Sequence, residues 1–267
     1  MPQRDLLLTR PRELERTLPG VFRLDRFLAA NFAHRQVDLL VRRGRAVLVR
    51  VVRPRGLGLI GVGDIGEVLG LLERNAERIG EVGHALLPFG MEETWPGRVG
   101  DALGLEVAPP WEWMFCSSPP PHQDGEEHCR ILGTEDMAEV ATLLKDANPI
   151  AVASPDDEGL VWWGYRDEDG VLLSACAVEF QESETTHSPS VEGFRGPGVH
   201  LSGFGTHPDA RGRGIGTAMM AAMTRWGVRE HGYVHYGVWA DNESAIRIYR
   251  RLGYQTGADI QMYRRPQ

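Results

Sequence analysis

Apolar residues along this chain recur with two periods, and the switches between them mark out elements. In the last third, Val199, Leu201, Phe204 and Thr206 form a β-prone run. Pro208-Asp209-Ala210 then turns the chain. Ile215, Met219, Ala222, Met223 and Trp226 come next, on one face of a predicted helix. Tyr233 to Val238 alternates like a strand. Ala245, Ile246, Tyr249 and Leu252 return to helical spacing, with Asp241 or Asn242 available as N-cap and Gly253 as stop. The tail from Arg251 predicts a final hairpin with Met262 and Tyr263 in its last strand. Upstream, Cys129 to Leu132 reads as a strand, and Thr134 or Asp136 caps a helix carrying Met137, Val140, Leu143 and Leu144. Leu160–Tyr165 and Val171–Phe180 flank a polar turn and read as a hairpin.

The first half carries a similar order. Helical segments are predicted at Arg12–Arg16 and Phe22–Ala33, and strands at Val37–Val41 and Ala46–Val52. Leu57 to Val62 reads as a glycine-containing strand. A helix runs through Ile65, Val68, Leu69 and Leu72. His84–Pro88 and Trp111–Phe115 are strands around a short helix near Val99–Leu103.

Gly212, Gly214 and Gly216 stand where the predicted strand turns into the predicted helix. The first turn of a helix has unpaired N–H groups and partial positive charge. Glycine lets an anion reach those groups without a Cβ in the way. Arg211 and Arg213 add positive charge. Residues 211–216 alone fit either a phosphate seat or a glycine-rich turn with two solvated arginines.

Arg211-x-x-Gly214-x-Gly216, then a helix, a strand and Asn242-x6-Tyr249, resembles the acyl-CoA-binding half of the GNAT superfamily of N-acyltransferases. The resemblance covers 199–263. It implies an α/β (α+β) fold with a mixed central sheet flanked by helices. It implies acetyl-CoA or another acyl-CoA as co-substrate, with no metal. By resemblance, the backbone of Phe204, Gly205 and Thr206 would meet the pantetheine arm. Arg211, Gly212, Arg213, Gly214, Ile215, Gly216 and Thr217 would hold the diphosphate. Asn242 would contact the cofactor arm, and Tyr249 would protonate the departing thiolate. A phenol with an ordinary pKa of ~10 is protonated at neutral pH and can donate. The plainer roles are an N-cap for Asn242 and a core aromatic for Tyr249.

One expected group is missing. Several family members carry a glutamate in the strand before the Asn helix, where this chain has Gly237. An amine acceptor is mostly protonated at pH 7, so some base must take a proton. His200, Glu179 and Glu182 are the candidates. Trp162, Trp163 and Tyr165 read first as sheet packing, and second as a substrate groove.

The chain has 267 residues, more than one such domain needs. Three prolines within 117–127 suggest a linker between a domain at 1–116, read as a degenerate GNAT-like unit, and a catalytic domain at 128–267. A net charge of −8 argues against nucleic acid and is compatible with cationic amines. Cys116, Cys129 and Cys176 form no disulfide framework, which fits a reducing cytoplasm. No apolar run approaches the ~20 residues of a membrane span. His122, His128 and Cys129 lack zinc spacing, and Gly232 separates His231 from His235.

Gly56 to Gly61 spells a dinucleotide fingerprint and Arg53 to Gly58 a second cradle, but neither opens a helix in the right place. A nicotinamide-dependent oxidoreductase is left without a ribose-binding acid. The sequence therefore points to acyl transfer from acyl-CoA to a small-molecule or protein amine. A non-catalytic acyl-CoA sensor is the alternative, and turnover separates the two.

Overall fold

In the computed structural model, which describes residues 5–33, 35–53, 56–180 and 198–266, twelve strands join one mixed sheet. The first half runs β1 (Leu6–Leu8), α1 (Pro11–Phe22), α2 (Arg26–Phe32), β2 (Val37–Arg43), β3 (Ala46–Arg53), β4 (Gly56–Val62), α3 (Ile65–Ile79), β5 (His84–Pro88), α4 (Met91–Thr94), α5 (Arg98–Leu103) and β6 (Glu106–Cys116). The second half repeats that order with fewer helices. It runs β7 (Cys129–Ile131), α6 (Met137–Ala147), β8 (Leu160–Arg166), β9 (Leu172–Phe180), β10 (Val199–Thr206), α7 (Ile215–His231), β11 (Val234–Trp239), α8 (Glu243–Arg251) and β12 (Gln255–Arg264).

The strand order is β1-β2-β3-β4-β5-β12-β6-β11-β10-β9-β8-β7. The halves therefore trade their last strands. β12 leaves the second half to pair with β5, and β6 leaves the first half to pair with β11. The two traded strands also pair with each other at the centre. β4 with β5 and β10 with β11 are the parallel pairs.

The tail differs from its expected hairpin, because β12 is one long strand. Gly257 explains the difference. It lies at a register shift between Thr256 and Ala258, and a Cβ there would overlap the ring of Trp113. The glycine marks a bulge under an aromatic ring, not a turn.

Helices cover both faces. On one, α1 through Val21 and Phe22 and α2 through Phe27, Leu28 and Phe32 join the core of Val49, Ile60 and Trp113, and α6 packs onto Ala175 and Ala177. On the other, α3 covers Leu48, Leu59 and Tyr263, while α7 and α8 cover Met114, Cys176 and Val199.

Gly227 brings α7 close to the sheet, since a Cβ there would overlap the Val234 side chain and lie 3.0 Å from that of Val199. Gly227→Ala gains about 1 kcal/mol of helix propensity but overpacks, at about 1–3 kcal/mol. We expect a net loss, read as a lower urea midpoint. A raised midpoint would contradict the close approach.

Candidate functional site

β10 and β11 pair only at Val199–Leu201 with Val234–Tyr236, although they run on to Thr206 and Trp239. Beyond that their facing edges part. β10 bends away through an irregularity between Ser202 and Gly205, with Gly203 at φ +62. The result is a cleft in the sheet that ends at the start of α7. The carbonyl of Phe204 accepts from Asn148 Nδ2 at 3.1 Å, that of Gly205 from Ser174 Oγ at 2.8 Å, and that of Thr206 from Arg211 Nε at 3.1 Å. The protein's own side chains thus occupy all three acceptors.

The cradle comes next in the chain. Gly212 and Gly214 have φ of +77 and +84, and a Cβ on either would meet nothing within 4 Å. Their glycines serve the left-handed turn, not space. Gly214 caps α7 with no side chain on its first amides and no acid in its first turn. Gly216 lies inside the helix, where a Cβ would make ordinary 3.6 Å contacts with the Phe204 ring and Thr206 Oγ1. Ile215 anchors the turn against Leu173 and Ala210, and Thr217 is half-buried. Arg211 also reaches the Ala147 carbonyl at 3.1 Å, so it ties the cradle to the end of α6. Arg213 is exposed and forms no ion pair among the described residues.

At α8, Asn242 Oδ1 accepts from the Ala245 amide at 3.2 Å and the Ser244 hydroxyl at 3.1 Å, so it caps the helix. Tyr249 is buried further along, with its ring edge-on to Tyr236 at 5.2 Å. Tyr236 belongs to the last pair before the cleft opens. Burial, then the neighbouring Tyr236 phenol, pushes Tyr249 well above the ordinary range. Burial, then nearby Cys176, pushes Tyr236 up to about 12. Both phenols hold their protons at neutral pH.

The opposite side of the same strands carries a line of polar groups. His200 Nδ1 lies 3.2 Å from His235 Nδ1, and Trp113 Nε1–H donates to His235 Nδ1 at 3.1 Å. In register, His200 also faces Glu179, which pairs with Arg35 at 3.2 Å. Burial lowers the His200 pKa, Glu179 opposes that shift, and Arg35 adds to it. A Cβ on Gly237 would lie 3.2 Å from the Trp111 ring. The place of the expected glutamate is therefore filled by a tryptophan from the first half. Glu182 lies outside the described residues. Trp162 belongs to the α6 core, and Trp163 packs on Trp226 at 5.6 Å. Among the described residues, no three His, Cys, Asp or Glu side chains gather as a metal-ligand set.

The family model of the acetyltransferase (GNAT) family matches residues 111–254, more than half of the chain. The chain belongs to the GNAT family. The match starts inside β6, so this GNAT unit includes the strand supplied by the first half. An acetyltransferase of Pectobacterium atrosepticum is 36% identical over 66 residues, which span 24% of this chain and 45% of that protein. A GCN5-related N-acetyltransferase from Sphaerobacter thermophilus has a TM-score of 0.56 at 17% identity, covering 100% of this chain and 98% of that one. A tandem GNAT protein from the clavulanic acid biosynthesis pathway has a TM-score of 0.51 at 12% identity, covering 97% of both chains. At these identities the structural likeness is one of fold.

The two halves of this GNAT chain differ at one decisive place. β4 and β5 also pair over only three residues, Gly58–Ile60 with His84–Leu86. But α3, the helix after β4, is closed at its start. Asp64 accepts from the amides of Gly66 at 2.9 Å and Glu67 at 3.1 Å, and Glu67 adds a second negative charge. The start of α3 is thus capped by a carboxylate, whereas the start of α7 carries no side-chain cap.

Proposed function

We propose that this chain is an acyl-CoA-dependent N-acyltransferase that uses acetyl-CoA and transfers the acyl group directly to an amine. The observation that carries the reading is the uncapped start of α7 at the mouth of the β10–β11 cleft. The amides of Gly212 to Thr217 would hold the diphosphate, with Arg213 free to join them. Because the carbonyls of Phe204 to Thr206 are already engaged, the pantetheine arm would be met there by N–H groups. Asn242 keeps its Nδ2 for the cofactor arm while its Oδ1 caps α8.

The chemistry balances without a covalent enzyme intermediate. His200 takes a proton from the incoming ammonium and later passes it to solvent. The freed nitrogen bonds to the acyl carbon, the carbon–sulfur bond breaks, and the nitrogen gives up its second proton to solvent. Tyr249 gives its proton to the sulfur and regains one through Tyr236 or solvent. Holding the two reactants in line supplies much of the acceleration. The acceptor is a small-molecule or protein amine. The three free cysteines support a reducing, cytoplasmic setting. Among the described residues no helix is long and apolar enough to cross a membrane.

Two results would test the roles. Tyr249→Phe is expected to lower kcat about a hundred-fold, the low end for a general acid because a thiolate already leaves fairly well. Its KM for acyl-CoA should hold, and unchanged turnover would remove Tyr249 as donor. His200 has a folded-state pKa below its ordinary value, so it is neutral at pH 7 and protonates only in acid. The rate should therefore rise with pH through a value under the ordinary ~6.5 of histidine and then stay level. His200→Gln should remove that acid limb. An unaltered pH–rate profile in His200→Gln would assign the base elsewhere.

A further inference from the structure

We infer that the acceptor is an amine that also carries a carboxylate, and that Arg53, with Arg35, binds that carboxylate. The inference rests on the acyltransferase reading and names the substrate class of the same site.

The polar line through His200 and Glu179 continues into the first half. Arg35 bonds Glu179 through one terminal nitrogen, while its Nε is buried without an acceptor. Arg53 stands at the end of β3, over the Phe32 ring at 5.8 Å. Its Nε is also buried without an acceptor, and it forms no ion pair among the described residues. Arg53 lies within electrostatic reach of Arg35, Glu179 and His84. Among the described residues, two guanidinium groups against one carboxylate leave a single positive charge in excess. The imidazoles do not change that count. Burial, then Arg53, brings His84 to about 4, and burial lowers His200.

A half-buried guanidinium with no counter-ion is costly, as is a buried N–H with no acceptor. The excess is local, because the whole chain carries −8. Two acceptor oxygens match the planar donor fork of arginine. One excess charge is balanced by a carboxylate, whereas a phosphate monoester near −2 overshoots. Glu179 bonds Arg35 and faces His200 in register. The amine of an acceptor held by the arginines would then reach His200 past Glu179.

The test uses the full chain saturated with CoA, so that binding is read without turnover. 4-Aminobutyrate and phenylalanine are titrated by calorimetry beside butylamine and phenethylamine, their carboxylate-free counterparts. At least one carboxylate-bearing member is expected to bind at least about tenfold tighter than its counterpart. Arg53→Gln should bring that ratio near one, and Arg53→Lys should keep part of it. Equal binding within both pairs, no binding of any member, or a ratio unmoved by Arg53→Gln overturns the carboxylate site. Thiol release from acetyl-CoA is then measured with all four amines. Carboxylate-selective binding without release overturns the acyltransferase reading alone. Release without carboxylate selectivity leaves that reading standing and removes this one.

Discussion

Residues 1–116 and 128–267, expressed separately, are each expected to fail to fold, and co-expression is expected to restore one soluble complex. The reason is the exchange of last strands. Without β6, the second piece exposes the edge of β11 and uncovers the pocket filled by Met114 and Cys116, which are 0% and 2% exposed in the intact chain. Its β12 loses both neighbours. The first piece keeps β6 but loses Ile260 and Tyr263 from beside it, 2% and 0% exposed. Each large apolar side chain is worth roughly 1.5–3 kcal/mol when fully buried. Losing several, together with a row of strand hydrogen bonds, consumes most of the ~5–15 kcal/mol that a folded protein has. The bare edges would also aggregate. Circular dichroism and hydrogen exchange on the pieces, alone and together, read the outcome. Two independently cooperative halves would contradict it.

Gly216→Glu is expected to abolish acyl-CoA binding while leaving the fold intact. Gly212 and Gly214 are poor places for this test, because their positive φ would strain any other residue. Gly216 has helical neighbours and room for a Cβ. An acid in the first turn of a helix stabilises it by about 0.3–1 kcal/mol, so the melting temperature should hold or rise slightly. The same acid sits in the seat proposed for the diphosphate. Two like charges at 4 Å repel by about 4 kcal/mol at an effective dielectric of 20, so affinity should fall at least ~100-fold. Calorimetry and a thermal melt on one sample separate the effects. Unchanged affinity would place the diphosphate elsewhere.

The cradle is legible in the sequence because it is local. Strand, turn, glycines and helix succeed one another within 199–226, and each conformation is set by residues a few positions away. Most elements of the first half are legible for the same reason, but β1 and α4 are too short to show a period, and the expected helix Phe22–Ala33 is split, with Asp25 capping α2. Strand partners are not. β6 and β12 alternate like any other strand, and nothing in their own residues says which half they join. A bulge and a turn both call for glycine, so Gly257 by itself is compatible with a hairpin. Tyr236 is legible only as an alternating strand position. Trp111 and Arg35 come from the first half, and only the sheet pairing and the ion pair with Glu179 bring them beside β11 and β9. The absent glutamate at Gly237 is visible in sequence, but the tryptophan filling its place is not.

The most direct measurement is a calorimetric titration of the intact chain with acetyl-CoA. The open α7 and the Asp64-capped α3 predict one site per chain. Two sites would show that the first half also binds the cofactor, against the Asp64 argument. No binding at all would contradict the central claim that the start of α7 is an acyl-CoA seat.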